Sequence, residues 1–377
     1  MSVSYWKRAL ARDRLASVDV CVIGAGIAGL SAADELGRQG KNVAVVEQHT
    51  VGWGASTRNA GYLMRGMAES YAEIADTLGR DVAQRVWADS ERNLALLLER
   101  FDAQSLPSLR HIPSMLVAMS DAERELLERS ASMMTEDGFD VELRETGDDD
   151  LWRSLEPALA LVNPGDCVCN SAELIERIAL RMSRQTPVFE GAEVFAFEQS
   201  GSRVEVHTSR GVISARVVLV CTNAYAGSLL PSLAERVIPN RGQMLALRAL
   251  THRLHASYYL DGGSEYIRQT HDGTIVVGGM RKHFEAAERT SNDEPTAEVQ
   301  FALEDFAERA LGTRGTVIAR WAGTMGFTAD GLPIVEPVEV DGIDAGHIWF
   351  CGGFTGHGMS LGVVTAQRAV HAMLGIG

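Results

Sequence analysis

The first organised apolar block is VDVCVI at residues 18–23, a short β-branched run of the kind buried in a parallel sheet. Helix-spaced apolar positions follow at Ile27, Leu30, Ala33 and Leu36, with Gly40 as a C-terminal stop. A second apolar strand at 43–46 ends on Glu47, so the chain opens as strand, helix, strand. Residues 71–78 read as a helix. The stretch 81–145 is helical and then strand-like, with 93–101 strongly helical and 111–119 a strand. Ser171 is placed to cap a helix running to Arg184, with Leu174, Ile175, Ile178 and Met182 on one face. From 188 to 220 strands alternate around turns at Gly201 and Gly211, and 217–221 re-enters the first sheet.

Composition narrows the function classes. Of 377 residues 46% are hydrophobic and 23% charged, as in an ordinary globular protein. The net charge of -15, without a local basic patch, argues against nucleic acid or an anionic membrane as partner. The 37 glycines point to backbone packed close to a ligand. Cys21, Cys167, Cys169, Cys221 and Cys351 lie in or beside apolar runs, and Cys167 and Cys169 form C-x-C rather than C-x-x-C, so buried reduced thiols are expected. Asp148, Asp149 and Asp150 read as a solvated turn, and no metal is expected. The polar start MSVSYWKRALARDR and the lack of a long apolar run predict a cytoplasmic protein with no membrane span.

Between the first strand and helix lies Gly24-Ala25-Gly26-Ile27-Ala28-Gly29, a full G-x-G-x-x-G. Gly24 makes the tight turn, Gly26 admits the backbone to a pyrophosphate, and Gly29 lets helix and strand approach closely. The helix N-terminus offers free N–H groups and the positive end of its dipole to phosphates. Glu47 can accept hydrogen bonds from both ribose hydroxyls and would repel a 2′-phosphate, which disfavours NADP. The cradle alone leaves FAD and NAD both open.

The next segment, Gly52-Trp53-Gly54-Ala55-Ser56-Thr57-Arg58-Asn59-Ala60-Gly61, carries a resemblance. With Ser4-Tyr5-Trp6, the Gly24–Ala33 fingerprint, Trp321-Ala322-Gly323 before Asp330-Gly331-Leu332-Pro333, and the stretch from Phe350 to Met359 containing Gly356-His357-Gly358, the chain resembles the D-amino-acid oxidase/glycine oxidase/sarcosine oxidase superfamily of FAD enzymes. The gamma-glutamylputrescine oxidase-like branch is the most similar. The resemblance implies an α/β Rossmann-type FAD-binding domain assembled from 1–80, 146–221 and 321–377. A mixed antiparallel-sheet substrate domain, α+β in character, would come from 81–145 and 222–320, with Arg241-Gly242-Gln243, Tyr266-Ile267-Arg268 and 274–280 among its strands and turns.

It further implies that FAD is held by Gly24, Gly26, Ile27, Ala28, Gly29, Glu47 and Gln48. Gly54, Ala55, Ser56, Arg58, Asn59, Ala60 and Gly61 would follow it, with Thr222 and Asn223 under the flavin. Gly323, Gly353, Gly356, His357, Gly358 and Met359 would complete the shell, the last helix pointing its dipole at the N1/C2=O edge of the reduced flavin. Some relatives tether FAD through a cysteine near Gly323 or a histidine near Asn59; neither stands here, so non-covalent FAD is expected.

The implied reaction is oxidation of a C–N bond in a primary or secondary amine, a modified polyamine or an N-alkyl amino acid, with hydride passing to flavin N5 and the imine then hydrolysing. His357 is the catalytic candidate, to orient the amine or hold a carboxylate, against a structural role hydrogen-bonded to backbone. Arg268 is the preferred anchor for an anionic group ahead of Arg241, Arg58 and Arg281, and Tyr266 and Met325 are pocket walls. Met325 stands where glycine and D-amino-acid oxidases carry an arginine, which disfavours a simple D-amino acid. Val276 stands near the lysine with which sarcosine oxidases speed oxygen reaction, so oxygen or another electron acceptor both remain open. The alternatives are a dehydrogenase and a non-catalytic flavin-binding subunit; the oligomeric state is left open.

Overall fold

Five parallel strands carry the first part of the structure: Ile348–Gly352, Val212–Val220, Arg14–Ile23, Val43–Val46 and Val188–Phe189, neighbours in that order. The computed structural model describes Trp6 and residues 13–182, 186–248 and 254–376. Ser4, Tyr5 and Arg184 lie outside the described residues. The long strand Val212–Val220 is shared along its length: its first half takes the antiparallel hairpin Val194–Ser200 and Arg203–Thr208, and its second half takes Ile348–Gly352. Residues of the parallel strands are almost wholly buried, which is why they read as unbroken β-branched runs rather than alternating ones. The Ile27–Arg38 helix packs on the Gly358–Leu374 helix, close enough that a Cβ on Gly362 would stand 2.9 Å from Ile27.

The chain divides into two units, one of residues 1–57, 174–240 and 325–377 and the other of 58–173 and 241–324. The division departs from the expected pieces. Segments 58–80 and 146–173 sit in the second unit, because Tyr62–Leu63 pairs with Cys167–Val168 and Leu159–Asn163 with Ser114–Ala118. Residues 222–240 sit in the first, because Ala226, Leu230, Leu233 and Val237 join its core.

The second unit is built on an eight-stranded mixed sheet in which Thr316–Phe327, Ile238–Arg248, Thr274–Gly279, Glu265–Gln269, Ser257–Leu260 and Ser114–Ala118 are successive neighbours. Its two faces have different clients. Leu245, Leu247, Tyr258, Ile267, Ile275 and Val277 face a core with Leu303 and Phe306 of the Ala297–Leu311 helix. The alternate residues Met244, Tyr259, Tyr266 and Val276 form a separate cluster with Tyr62, Leu116 and Trp321.

Local expectations are revised in three places. The 111–119 strand is broken into Arg110–His111 and Ser114–Ala118 around Pro113, which has no N–H to give. The helix expected from Ser171 to Arg184 is observed over Ser171–Arg181, and the capping oxygen comes from Asn170, whose Oδ1 accepts the Ala172 N–H at 3.0 Å. Asp149 is not in a solvated turn: it is 2% exposed and caps the Asp150–Leu155 helix. Its Oδ1 accepts from Trp152 N, while Oδ2 accepts the His255 N–H at 2.9 Å and the buried Tyr258 hydroxyl. Among the described residues no helix is long and apolar enough to cross a membrane.

Replacing Asp149 removes the cap and strands two buried donors. Asp149→Ala is therefore expected to cost about 2–4 kcal/mol, read as a lowered urea midpoint, with Asp149→Asn intermediate.

Candidate active site

The glycine loop at the end of Arg14–Ile23 has no room for side chains. Gly24 has φ 105°, and a Cβ on Gly29 would lie 1.9 Å from the Gly24 carbonyl oxygen. The helix begins at Ile27 with no side-chain cap from Gly26; the Ile27 N–H is met instead by Ser56 Oγ at 3.0 Å, and Ala28 is buried behind it. Glu47 Oε2 accepts the Ala25 N–H and Oε1 the His49 N–H, both at 2.9 Å, so one carboxylate fixes the glycine loop and its own turn. Gln48 and Ala55 are half-buried, and no atom lies within 4 Å of a Cβ built on Gly54. A helix start without a cap from its own N-cap residue, a loop that a Cβ would fill, and a carboxylate at the next strand end suit a dinucleotide of the FAD type.

The same unit carries a second glycine-rich turn. Gly353, Thr355 and Gly356 all have positive φ (74°, 48° and 90°) and lead through His357 into the Gly358–Leu374 helix. Asn223, itself at φ 45°, accepts from Gly353 N at 2.9 Å and Phe354 N at 3.4 Å through Oδ1. Thr355 N donates to Gly326 O at 2.8 Å, and Thr355 Oγ1 accepts from Thr328 N at 3.2 Å. Thr222 Oγ1 is buried with no hydrogen-bond partner among the described residues. His357 and Gly358 are half-buried and Met359 buried. A Cβ on Gly356 would touch Met325 Sδ at 3.5 Å, so the thioether and the turn share one place.

In the second unit, Arg58 Nη1 is paired with Asp293 and donates to the Ala322 carbonyl at 3.0 Å, while Trp321 Nε1 donates to the Arg58 carbonyl at 3.0 Å. Gly323, next to Ala322, is buried. Asn59 Oδ1 accepts from Gly61 N at 2.8 Å. Arg268 is 6% exposed: its Nε donates to Ala60 O and its Nη2 to Cys169 O at 3.0 Å. Gly61 must be glycine, since a Cβ there would stand 2.8 Å from that Nη2 and 2.0 Å from the Cys169 oxygen. Among the described residues no carboxylate is within ion-pair reach of Arg268, and burial pulls its pKa down. Arg241 is committed otherwise, in a buried pair with Glu288 at 2.6 Å. Arg281 is half-buried beside Tyr266, and its pKa too is lowered by burial.

Tyr266 lies over Gly278, where a Cβ would meet its ring at 2.3 Å, and its hydroxyl donates to Met244 Sδ at 3.2 Å. Two further tyrosines, absent from the sequence reading, join it: the Tyr62–Tyr259, Tyr259–Tyr266 and Tyr62–Tyr266 centroids are 4.9, 5.6 and 6.2 Å apart. The available signal was strand alternation, which sets Tyr259 and Tyr266 opposite to Tyr258 and Ile267. Burial pushes the Tyr266 hydroxyl up to about 12 and those of Tyr62 and Tyr259 up as well, so the trio is uncharged near neutrality. Val276 is buried in the same cluster. The five cysteines are free and buried, and no group of three or more His, Cys, Asp or Glu side chains suited to a metal occurs among the described residues.

Residues 19–372 match the family described as DAO, FAD dependent oxidoreductase. The chain is 26% identical over 365 residues to gamma-glutamylputrescine oxidoreductase of Escherichia coli K12, covering 91% of this chain and 80% of that protein. It is 24% identical over 382 residues to a probable oxidoreductase, OrdL, of Haemophilus influenzae, covering 95% and 83%. Among solved structures, glycine oxidase from Geobacillus kaustophilus superposes with a TM-score of 0.77 at 20% identity, covering 96% of each chain.

Two substitutions test the cradle by fluorescence titration of apoprotein with FAD. Glu47→Gln replaces one acceptor by an amide donor facing an N–H, and is expected to weaken binding about 10-fold or more. Gly29→Ala is expected to abolish binding, because the methyl group cannot coexist with the Gly24 carbonyl. Affinity within about 2-fold of wild type for Glu47→Gln would remove Glu47 from the cofactor site.

Proposed function

Because the chain belongs to the DAO family of FAD-dependent oxidoreductases, we propose that it oxidises a carbon–nitrogen bond in a primary or secondary amine, of the modified-polyamine or N-alkyl amino-acid kind. The observation that supports this reading is the pairing, within one unit, of a glycine-loop cradle with a second glycine-rich turn that ends in His357 at the start of a helix. Bound FAD, held non-covalently, supplies a two-electron acceptor. The protein's part is to bind, orient and keep water away.

His357 orients the substrate nitrogen, accepting its proton or hydrogen-bonding its lone pair as the imidazole's charge state allows. The N-terminal end of Gly358–Leu374 carries the positive end of the helix dipole and would favour negative charge on a cofactor bound there. Met325 presents no charge, which matches a substrate without a carboxylate on the reacting carbon. Tyr266 forms an aromatic wall. Arg268, a buried cation with no carboxylate partner among the described residues, serves a remote anionic group of the substrate; its two carbonyl bonds fix the guanidinium in place. Val276 puts an apolar side chain where sarcosine oxidases carry a lysine, which supports a second reading in which another acceptor takes the electrons.

Anaerobic addition of amines to the purified holoprotein tests the function: at least one amine is expected to bleach the flavin band, and readmitted air shows whether oxygen is the acceptor. Failure of every primary and secondary amine to bleach it would overturn the reading. Arg268→Lys is expected to weaken a carboxylate-bearing amine about 10-fold while leaving a carboxylate-free amine within about 2-fold. Equal losses on both would leave Arg268 only its carbonyl bonds.

A further inference from the structure

Positive φ at residues with side chains is costly and persists only where neighbours over-determine it. In the first unit two such residues, Asn223 and Thr355, sit at one spot, on either side of Gly353. The turn that Asn223 and Thr355 help to shape runs straight into the helix at His357, so its shape sets where that helix begins. Backbone bonds from Thr355 N to Gly326 O and from His357 N to Phe354 O help to hold that shape, and one side-chain amide adds two more. Asn223 Oδ1 takes two successive backbone donors, Gly353 N at 2.9 Å and Phe354 N at 3.4 Å. The surroundings are fitted to this side chain: a Cβ on Gly326 would lie 2.8 Å from Oδ1, and one on Gly352 would lie 3.2 Å from the Asn223 Cα.

We propose that Asn223 is a positioning residue for the bound flavin, its amide oxygen pinning the 353–357 turn in the conformation that sets where the helix begins. The proposal rests on the placement of that helix end against the flavin, the same placement used above, and it corrects the simpler expectation that Asn223 touches the cofactor itself. Its Oδ1 is already spent on the two N–H groups. An acid of the same shape would keep both hydrogen bonds but add a negative charge beneath the turn, so geometry and charge can be varied separately.

Two variants of the full-length holoprotein separate the cases, read by FAD titration and by the midpoint potential of the bound flavin. Asn223→Gly accepts φ 45° without strain, so any loss belongs to the amide. It is expected to weaken FAD about 10-fold or more. Asn223→Asp is expected to restore affinity to within about 3-fold of wild type while making the potential more negative, because the added charge opposes the reduced anion. Wild-type affinity in Asn223→Gly would overturn the proposal. So would a variant that melts earlier as apoprotein yet binds FAD and holds its potential unchanged, since the role would then be structural alone. Neither readout uses a substrate. An enzyme that no amine reduces, but whose FAD affinity falls in Asn223→Gly and returns in Asn223→Asp, would sink the amine reading and uphold the pin.

Discussion

A helix that is to hold an anion at its N-terminus must leave its first N–H groups without local partners, and must still be packed tightly enough to stay folded. That requirement shapes the first unit. The Ile27–Arg38 and Gly358–Leu374 helices begin without a side-chain cap from their own N-cap residues, Gly26 and His357. Elsewhere Ser70, Ser120 and Asp149 cap the helices they precede, while Arg80–Glu99 and Ala297–Leu311 also start without a side-chain cap. The first unit's pair compensates through contact along their flanks. Gly362 meets Ile27, and the buried Glu35 accepts from Gln367 Nε2 at 3.4 Å and lies 3.4 Å from His371 Nε2. The glycines of both loops follow from the same demand, since backbone can approach a ligand only where side chains are missing.

The second unit meets a different demand with one sheet. Its strands send alternate residues to a helix-covered core and to an aromatic cluster. The core face needs only apolar volume. The other face keeps polar groups: Arg58 near it is paired with Asp293, and Arg268 on it donates to two carbonyls. Only the last lacks a compensating carboxylate among the described residues. A cation so placed is expensive to desolvate, and its two carbonyl bonds offset part of that cost.

Much of the first unit was legible in the sequence because its signals are local. The strand at 18–23, the G-x-G-x-x-G, the helix and Glu47 lie within 30 residues, and each has one physical task. The GHG turn was equally visible. The tyrosine cluster was not, because Tyr62 and Tyr259 come from strands nearly 200 residues apart and alternation alone does not say which face is which. The assignment of 58–80 failed for a similar reason: Tyr62–Leu63 is a two-residue strand, too short to leave a pattern, yet its pairing with Cys167–Val168 places the segment. Asp149 misled because three adjacent aspartates look hydrated; only the fold brings Tyr258 and His255 to one of them.

The strand Ile348–Gly352 lies beside Val212–Val220, which in turn lies beside Arg14–Ile23. A ribosome therefore delivers these three neighbouring strands at widely separated times. The earliest strand emerges with the glycine loop already attached, but its neighbour and the neighbour beyond arrive only after most of the second unit has been made. Until then the central strand has an unpaired edge, the kind of surface that invites association with other chains. The chain's order thus makes the nucleotide-binding unit the last to be completed, although its most recognisable motif is the first to be synthesised.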